Sequence, residues 1–212
     1  MRVNLGAAVT LSPDEVTSED FAGCRHAHIE GYLLFNRELM EAVLTSARQA
    51  GCTVSLDLAS FEVVSESREI LPNLLKDSVD LVFGNEDEIG RLIQSESHLS
   101  ELAQKLTEWC TIGVVKAGRD GAYLANDGGV VHVPARLIDN PVDTTGAGDA
   151  WAAGFLYGYL SGHDLDHSGH LGSVLGSLTV DTLGAHLSDQ DWNQLKELIA
   201  EEDSKRAKSR NS

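Results

Sequence analysis

Short apolar runs along the chain alternate with longer stretches in which apolar residues recur every three or four positions. HAHIEGYL (His26–Leu33), CTVSLDL (Cys52–Leu58), VDLVFG (Val79–Gly84) and IGVVK (Ile112–Lys116) have the length and β-branched content of buried strands. MRVNLGAAVT (Met1–Thr10) reads as a further strand. Between these lie helical patterns. One begins at Asn36, places Leu39, Met40, Val43, Leu44 and Ala47 on one face, and closes at Gly51. Others cover Ser65–Lys76 (interrupted at Pro72), start at Asn85, and span about His98 to Cys110. Ser12 followed by Pro13 and two acids reads as a capped helix start. Ala122–Ala125 and Val130–Val133 flank Asn126-Asp127-Gly128-Gly129 and predict an antiparallel hairpin. Beyond it, Ala147–Leu160 is small or apolar almost all round and should be buried. A second small-residue helix covers Asp166–Leu183. Ser188 caps a last helix that carries Trp192, Leu195, Leu198 and Ile199.

Strands alternating with helices predict an α/β fold: a mainly parallel sheet with helices on both faces, three layers in all. Ligands of such sheets bind at the carboxyl ends of the strands. Asp57, Asn85 and Gly118 all fall just after predicted strands.

At 212 residues the chain predicts one domain, here residues 1–203, followed by a basic, disordered tail over 204–212. The net charge of −17 argues against nucleic acid or an anionic membrane as partner. A local amide cradle can still hold an anionic small molecule. The three cysteines, Cys24, Cys52 and Cys110, lack C-x-x-C spacing and read as reduced, mostly buried thiols of a cytoplasmic protein. No apolar run reaches the roughly 18 residues of a membrane span.

The richest chemistry lies in Asp143-Thr144-Thr145-Gly146-Ala147-Gly148-Asp149. Gly146, Ala147 and Gly148 leave their amides open to close approach. A helix starting there presents unpaired N–H groups and a positive dipole end, which together form an anion site. Asp149 falls in the first turn, placed as a base for an attacking hydroxyl. A glycine-rich turn with acidic capping residues is the plainer alternative. No G-x-x-x-x-G-K-[ST] string exists, and Trp151 stands where a dinucleotide fingerprint needs a small residue.

The heptad and the small/aromatic helix after it resemble the signature of the ribokinase-like (PfkB) sugar and nucleoside kinases. That resemblance implies ATP and Mg2+ as cofactors, a sugar or nucleoside as acceptor, Asp149 as base, and the amides of Gly146, Ala147 and Gly148 as anion hole. Asn85 and Glu88 match the family's N-x-x-E motif, which tunes magnesium and phosphate binding largely through water; the same spacing is also a helix capping box. Lys116 to Gly121 (KAGRDG) looks like the family's strand-end turn. The match brings Lys116, Gly118 and Gly121 to the nucleotide, together with Thr144 and, on the helix flanking adenine, Ser177. Asp143, Thr145, Gly184 and Ser188 match positions that bind a potassium-like ion. Members usually begin with a strand, an early Gly-Gly motif and a β-sheet lid that often forms a homodimer contact. None is recognisable here, so the chain is expected to correspond to the later part of the family's pattern, with Met1–Ala8 as the strand that follows the lid. A catalytically incompetent nucleotide- or sugar-binding module and a Rossmann-type oxidoreductase are the competing readings. His163, His167 and His170 have helical spacing but read as solvated surface residues rather than metal ligands.

Overall fold

The computed structural model describes residues 10–209, so the strand expected over residues 1–9 lies outside it, and Thr10 sits in a turn. The chain falls into two compact units, Met1–Val115 with Ala125–Gly129, and Lys116–Leu124 with Val130–Ser212.

In the first unit, strands β1 (His26–Glu30), β2 (Thr53–Asp57) and β3 (Leu81–Asn85) pair in parallel, with His26 opposite Thr53 and Ser55 opposite Leu81. Helix α1 (Arg37–Gln49) packs on β2, and its Met40, Leu44 and Ala47 are buried. Asn36 caps α1 by accepting from the Leu39 amide at 3.2 Å. Asp80 ties the sheet to α1: its carboxylate accepts from Val54 N at 2.7 Å and meets Arg48 at 2.8 Å. Helices α2 (Phe61–Ser67), α3 (Leu71–Ser78), α4 (Glu86–Ile93) and α5 (Leu99–Leu106) follow, then strand β4 (Ile112–Lys116).

Several boundaries differ from those read off the sequence. Strand β1 stops at Glu30 because Gly31 opens a 3-10 turn against the next strand. A Cβ there would lie 2.6 Å from the Asp57 carbonyl oxygen. Helix α2 starts at its Ser60 cap and is separated from α3 by Arg68–Ile70, upstream of Pro72.

Strands β5 (Ala122–Asn126) and β6 (Gly129–Val133) form the expected hairpin, with the Gly128 amide donating to Asn126 Oδ1 at 2.9 Å. The hydrogen-bonded strand order is β1-β2-β3-β4-β5-β6.

In the second unit, α6 (Ala147–Leu160) and α7 (Leu165–Val180) interlock through glycines. A Cβ on Gly154 would lie 2.6 Å from the Leu171 carbonyl oxygen, and one on Gly172 would lie 2.8 Å from that of Trp151. Such contact needs bare backbone on both helices. Asp164 caps α7, so His167 lies in its first turn and is buried, with its ring centroid 4.2 Å from that of His163; it is not a solvated residue. Helix α8 spans Asp189–Ser209, past the point where the sequence reading placed a disordered tail. Its Leu195 packs against Val174 and Leu178, whereas Trp192, expected to pack, is exposed. Cys24 is exposed too; Cys52 is buried, and burial pushes the Cys110 thiol up to about 12. Among the described residues no helix is long and apolar enough to cross a membrane.

Candidate functional site

The signature segment is shaped by its first aspartate. The Asp143 carboxylate accepts from Thr145 N at 2.9 Å through one oxygen and from Gly184 N at 3.0 Å through the other. Those amides, with the Thr145 side chain, hold its pKa below the ordinary carboxylate value. The backbone on either side is pinned to the end of α7, with Val142 N 2.8 Å and Asp143 N 3.3 Å from the Val180 carbonyl oxygen. The chain then turns through Gly146, at φ +75°, into α6. Only a residue without a side chain fits: φ is left-handed, and a Cβ would lie 2.7 Å from the Ala185 methyl.

Ala147, Gly148 and Asp149 therefore form the first turn of α6, where amides lack intrahelical partners; that of Ala147 donates instead to the Thr144 carbonyl at 3.2 Å. A Cβ on Gly148 would meet a single group, the Lys116 ammonium nitrogen, at 3.4 Å. The cation at the end of β4 thus stands over the positive end of α6. Asp149 is exposed beside it.

Next to this turn, in the same unit, lies a cavity of about 360 Å3. Lys116, Arg119 and Arg136 line it, together with Thr144, Ala147 and Gly148 of the signature. Leu137, Ile138, Pro141, Trp151 and Val180 give it an apolar wall. None of its lining residues is a carboxylate, in a chain that carries 33 acidic residues. Three cations and a helix N-terminus thus meet at one pocket, an arrangement suited to an anionic group.

The cavity gathers Lys116, Gly118, Gly121, Thr144, Ala147, Gly148 and Ser177 from the residues singled out in the sequence. Gly146 and Asp149 flank it in the chain without lining it. Asn85 and Glu88 belong to the other unit and form the capping box of α4. Glu88 accepts from Asn85 N and Nδ2, each at 2.8 Å, and its own amide donates to Asn85 Oδ1 at 2.9 Å. Of the residues matched to a potassium-like site, Asp143, Thr145 and Gly184 come together, with amides rather than carbonyls facing Asp143. Ser188 instead caps α8, its hydroxyl donating to Asp191 at 2.7 Å. Arg119, Arg136 and the strap 135–141 were not foreseen. Their one legible signal was two arginines near a glycine-rich turn in an otherwise acidic chain.

Comparison with known proteins places the chain in a family. The chain belongs to the pfkB family of carbohydrate kinases, whose sequence model matches residues 1–192. It is 26% identical over 203 residues to the 5-dehydro-2-deoxygluconokinase of Geobacillus thermodenitrificans, covering 91% of this chain and 60% of that one. The crystal structure of adenosine kinase from Sinorhizobium meliloti superposes with a TM-score of 0.82 at 26% identity, covering 90% of this chain and 59% of that one. An E. coli protein described as a ribokinase II, in complex with ATP and Mg2+, superposes at 0.74 with 25% identity, covering 84% and 59%. The fold is thus the mixed-sheet α/β fold of ribokinase-like proteins, and the chain spans about 60% of the length of the curated relatives it matches.

Proposed function

We propose that this chain carries the nucleotide-binding and catalytic part of an ATP-dependent kinase that phosphorylates a primary hydroxyl of a sugar or nucleoside. The observation that carries the reading is the cavity lined by Lys116, Arg119 and Arg136 at the first turn of α6, with the exposed Asp149 in that turn. The matched relatives bear the names of kinases of a sugar acid and of adenosine, and one structural neighbour holds ATP and Mg2+.

In this reading the triphosphate lies along the amides of Gly146, Ala147 and Gly148, with Lys116 on its charged edge. Asp149 takes the proton of the acceptor hydroxyl as its oxygen forms a bond to the γ-phosphorus and the bond to the β-γ bridging oxygen breaks, leaving ADP. The amides and the ammonium stabilise charge on the transferring group, and they are fixed before the reaction begins. Magnesium, carried by the nucleotide, neutralises phosphate charge and keeps most of its water shell. Asn85 and Glu88 are assigned to ordering that water by their motif. Asp143, Thr145 and Gly184 are assigned to a monovalent cation.

The test is ADP release by this chain with MgATP, with and without potassium, against pools of sugars and nucleosides. Asp149→Asn should lower kcat by about 10²–10⁴-fold while leaving the ATP Kd unchanged. Near-native turnover in that variant rules out Asp149 as base. ATP binding without acceptor-dependent release in the wild type favours a nucleotide-binding module.

A further inference from the structure

The three thiols of the chain stand in different surroundings. Cys110 donates to the Leu106 and Ile112 carbonyls, each at 3.2 Å, and burial pushes it up to about 12. Cys52, at the foot of β2, is 3% exposed, and its Sγ donates to the Cys24 carbonyl at 3.3 Å. Cys24 itself is exposed, so a buried thiol lies against the backbone of a residue whose own thiol meets solvent. The backbone around this pair is pinned. The Thr53 amide donates to the Arg25 carbonyl at 3.1 Å, and Thr53 Oγ1 donates to the same oxygen at 3.2 Å. The Cys52 amide donates to the Ala47 carbonyl at 3.0 Å, and its own carbonyl accepts from Arg48 Nη1 at 3.3 Å. Cys24 and Cys52 immediately precede the bonded residues Arg25 and Thr53. Strands joined in this way run about 4.8 Å apart, which brings the two Cα atoms to roughly the 4.4–6.8 Å that a disulfide spans. On the other side of Cys24 the chain turns through Gly23 at φ +79°, with nothing within 4 Å of where a Cβ would stand, so the loop has room to turn Cys24 towards Cys52.

We infer that Cys24 and Cys52 are a redox modification site: a low-molecular-weight disulfide such as glutathione disulfide oxidises them to a reversible internal disulfide. Exposure makes Cys24 the thiol that reacts first and contact makes Cys52 the one that resolves. The Cys24 thiolate attacks one sulfur of glutathione disulfide, whose S–S bond breaks and releases one glutathione. Cys52 gives its proton to water and attacks the Cys24 sulfur, and the mixed disulfide breaks to release the second glutathione. Two protein thiols are oxidised, and one glutathione disulfide is reduced to two thiols. The new bond fastens the segment 12–24 to the corner where α1 leads into β2. That segment carries the 3-10 turns Pro13–Glu15 and Ser18–Phe21, which pack on α1, with Ser46 Oγ donating to the Val16 carbonyl at 3.2 Å. Closing a loop over the 28 positions that separate the cysteines restricts the unfolded chain and so stabilises the fold. The pair lies wholly within the first unit, so its behaviour is independent of the nucleotide reading.

The experiment is incubation of the chain with glutathione disulfide, followed by thiol counting in denaturant and by mapping of tryptic peptides without reductant. The wild type should lose two of its three thiols, regain them with dithiothreitol, and yield a linked pair of peptides covering residues 3–25 and 49–68. Freed of oxidant, the disulfide form should melt roughly 5–10 °C above the reduced form. Cys24→Ser should keep both its remaining thiols and show no shift in Tm. Cys52→Ala should leave Cys24 carrying glutathione, and Cys110→Ser should link as the wild type does. Four results overturn the inference: all three wild-type thiols retained, glutathione on Cys24 with no linked peptide, a link made to Cys110 or to a second copy of the chain, or an oxidised form that melts no higher than the reduced one.

Discussion

The carboxylate of Asp143 holds the amide of Gly184 at 3.0 Å, across 41 residues of sequence, while its other oxygen holds Thr145 two residues away. One side chain thereby fixes both the entry to α6 and the loop after α7. Asp143→Asn replaces an anionic acceptor by an amide able to satisfy only one of the two amides as before. ATP affinity should fall about tenfold, because charge-assisted bonds of this kind are roughly twice as strong as neutral ones. The pKa of Asp143 is lowered in the folded protein, first by the Thr145 amide and then by the Thr145 side chain and the Gly184 amide. The stabilising contribution is therefore complete above the ordinary aspartate pKa of about 3.9 and is lost as pH falls through the lowered value. The acid limb of a thermal-denaturation profile should shift in the variant, and an unchanged limb would remove Asp143 from this role.

Two neighbouring glycines should respond in opposite ways. Gly146→Ala meets both a left-handed φ and the Ala185 methyl, and should destabilise the protein by about 1–3 kcal/mol in urea unfolding. Gly148→Ala has helical backbone and only the far end of the Lys116 side chain nearby, so stability should rise by roughly 0.5–1 kcal/mol. The new methyl occupies the space beside the ammonium, and ATP affinity should drop in this more stable variant. Equal stability changes at the two positions would contradict the geometry.

His26 supplies a second pH response. Its Nε2 lies 2.8 Å from Ser55 Oγ, which also meets His28 Nδ1 at 2.7 Å, and its Nδ1 lies 2.8 Å from Thr53 Oγ1. Thr53 and the Arg25 carbonyl are 3.2 Å apart with the hydroxyl donating, so Thr53 accepts from His26 and the ring is left to accept from Ser55. Burial, then His28, lowers the His26 pKa, with Asp80 opposing. The folded state therefore resists the proton that the unfolded state takes up near the ordinary value of about 6.5. Stability should be full above that pH and fall as pH drops through the lowered value. His26→Gln should flatten this part of the curve of unfolding free energy against pH, and a curve of unchanged slope would rule His26 out.

Much of this site was legible because its residues act through the backbone. Gly146, Gly148 and the acids around them form a contiguous string, and its resemblance to the family signature, added to small size and helix position, singled it out. The cavity's other wall was not legible in that way. Arg136 and residues 137–141 follow the hairpin without helical or strand periodicity, and only packing brings them to the same pocket as Ser177 and Trp151. Boundary errors have similar causes. The apolar run Phe61-Glu62-Val63-Val64 is too β-branched to announce a helix, yet Ser60 caps it and burial of Val63 and Val64 holds it. The stretch 204–209 was read as the start of a disordered tail from its basic, polar composition, although Lys, Arg and Ala are also strong helix formers.

The measurement that bears most directly on the account is calorimetric titration of MgATP into the chain and into Lys116→Ala. One ATP per chain is expected, bound at least about tenfold more weakly when the ammonium over the α6 terminus is removed. No detectable binding by the wild type, or an unchanged Kd in the variant, would contradict the assignment of this pocket as the phosphate site.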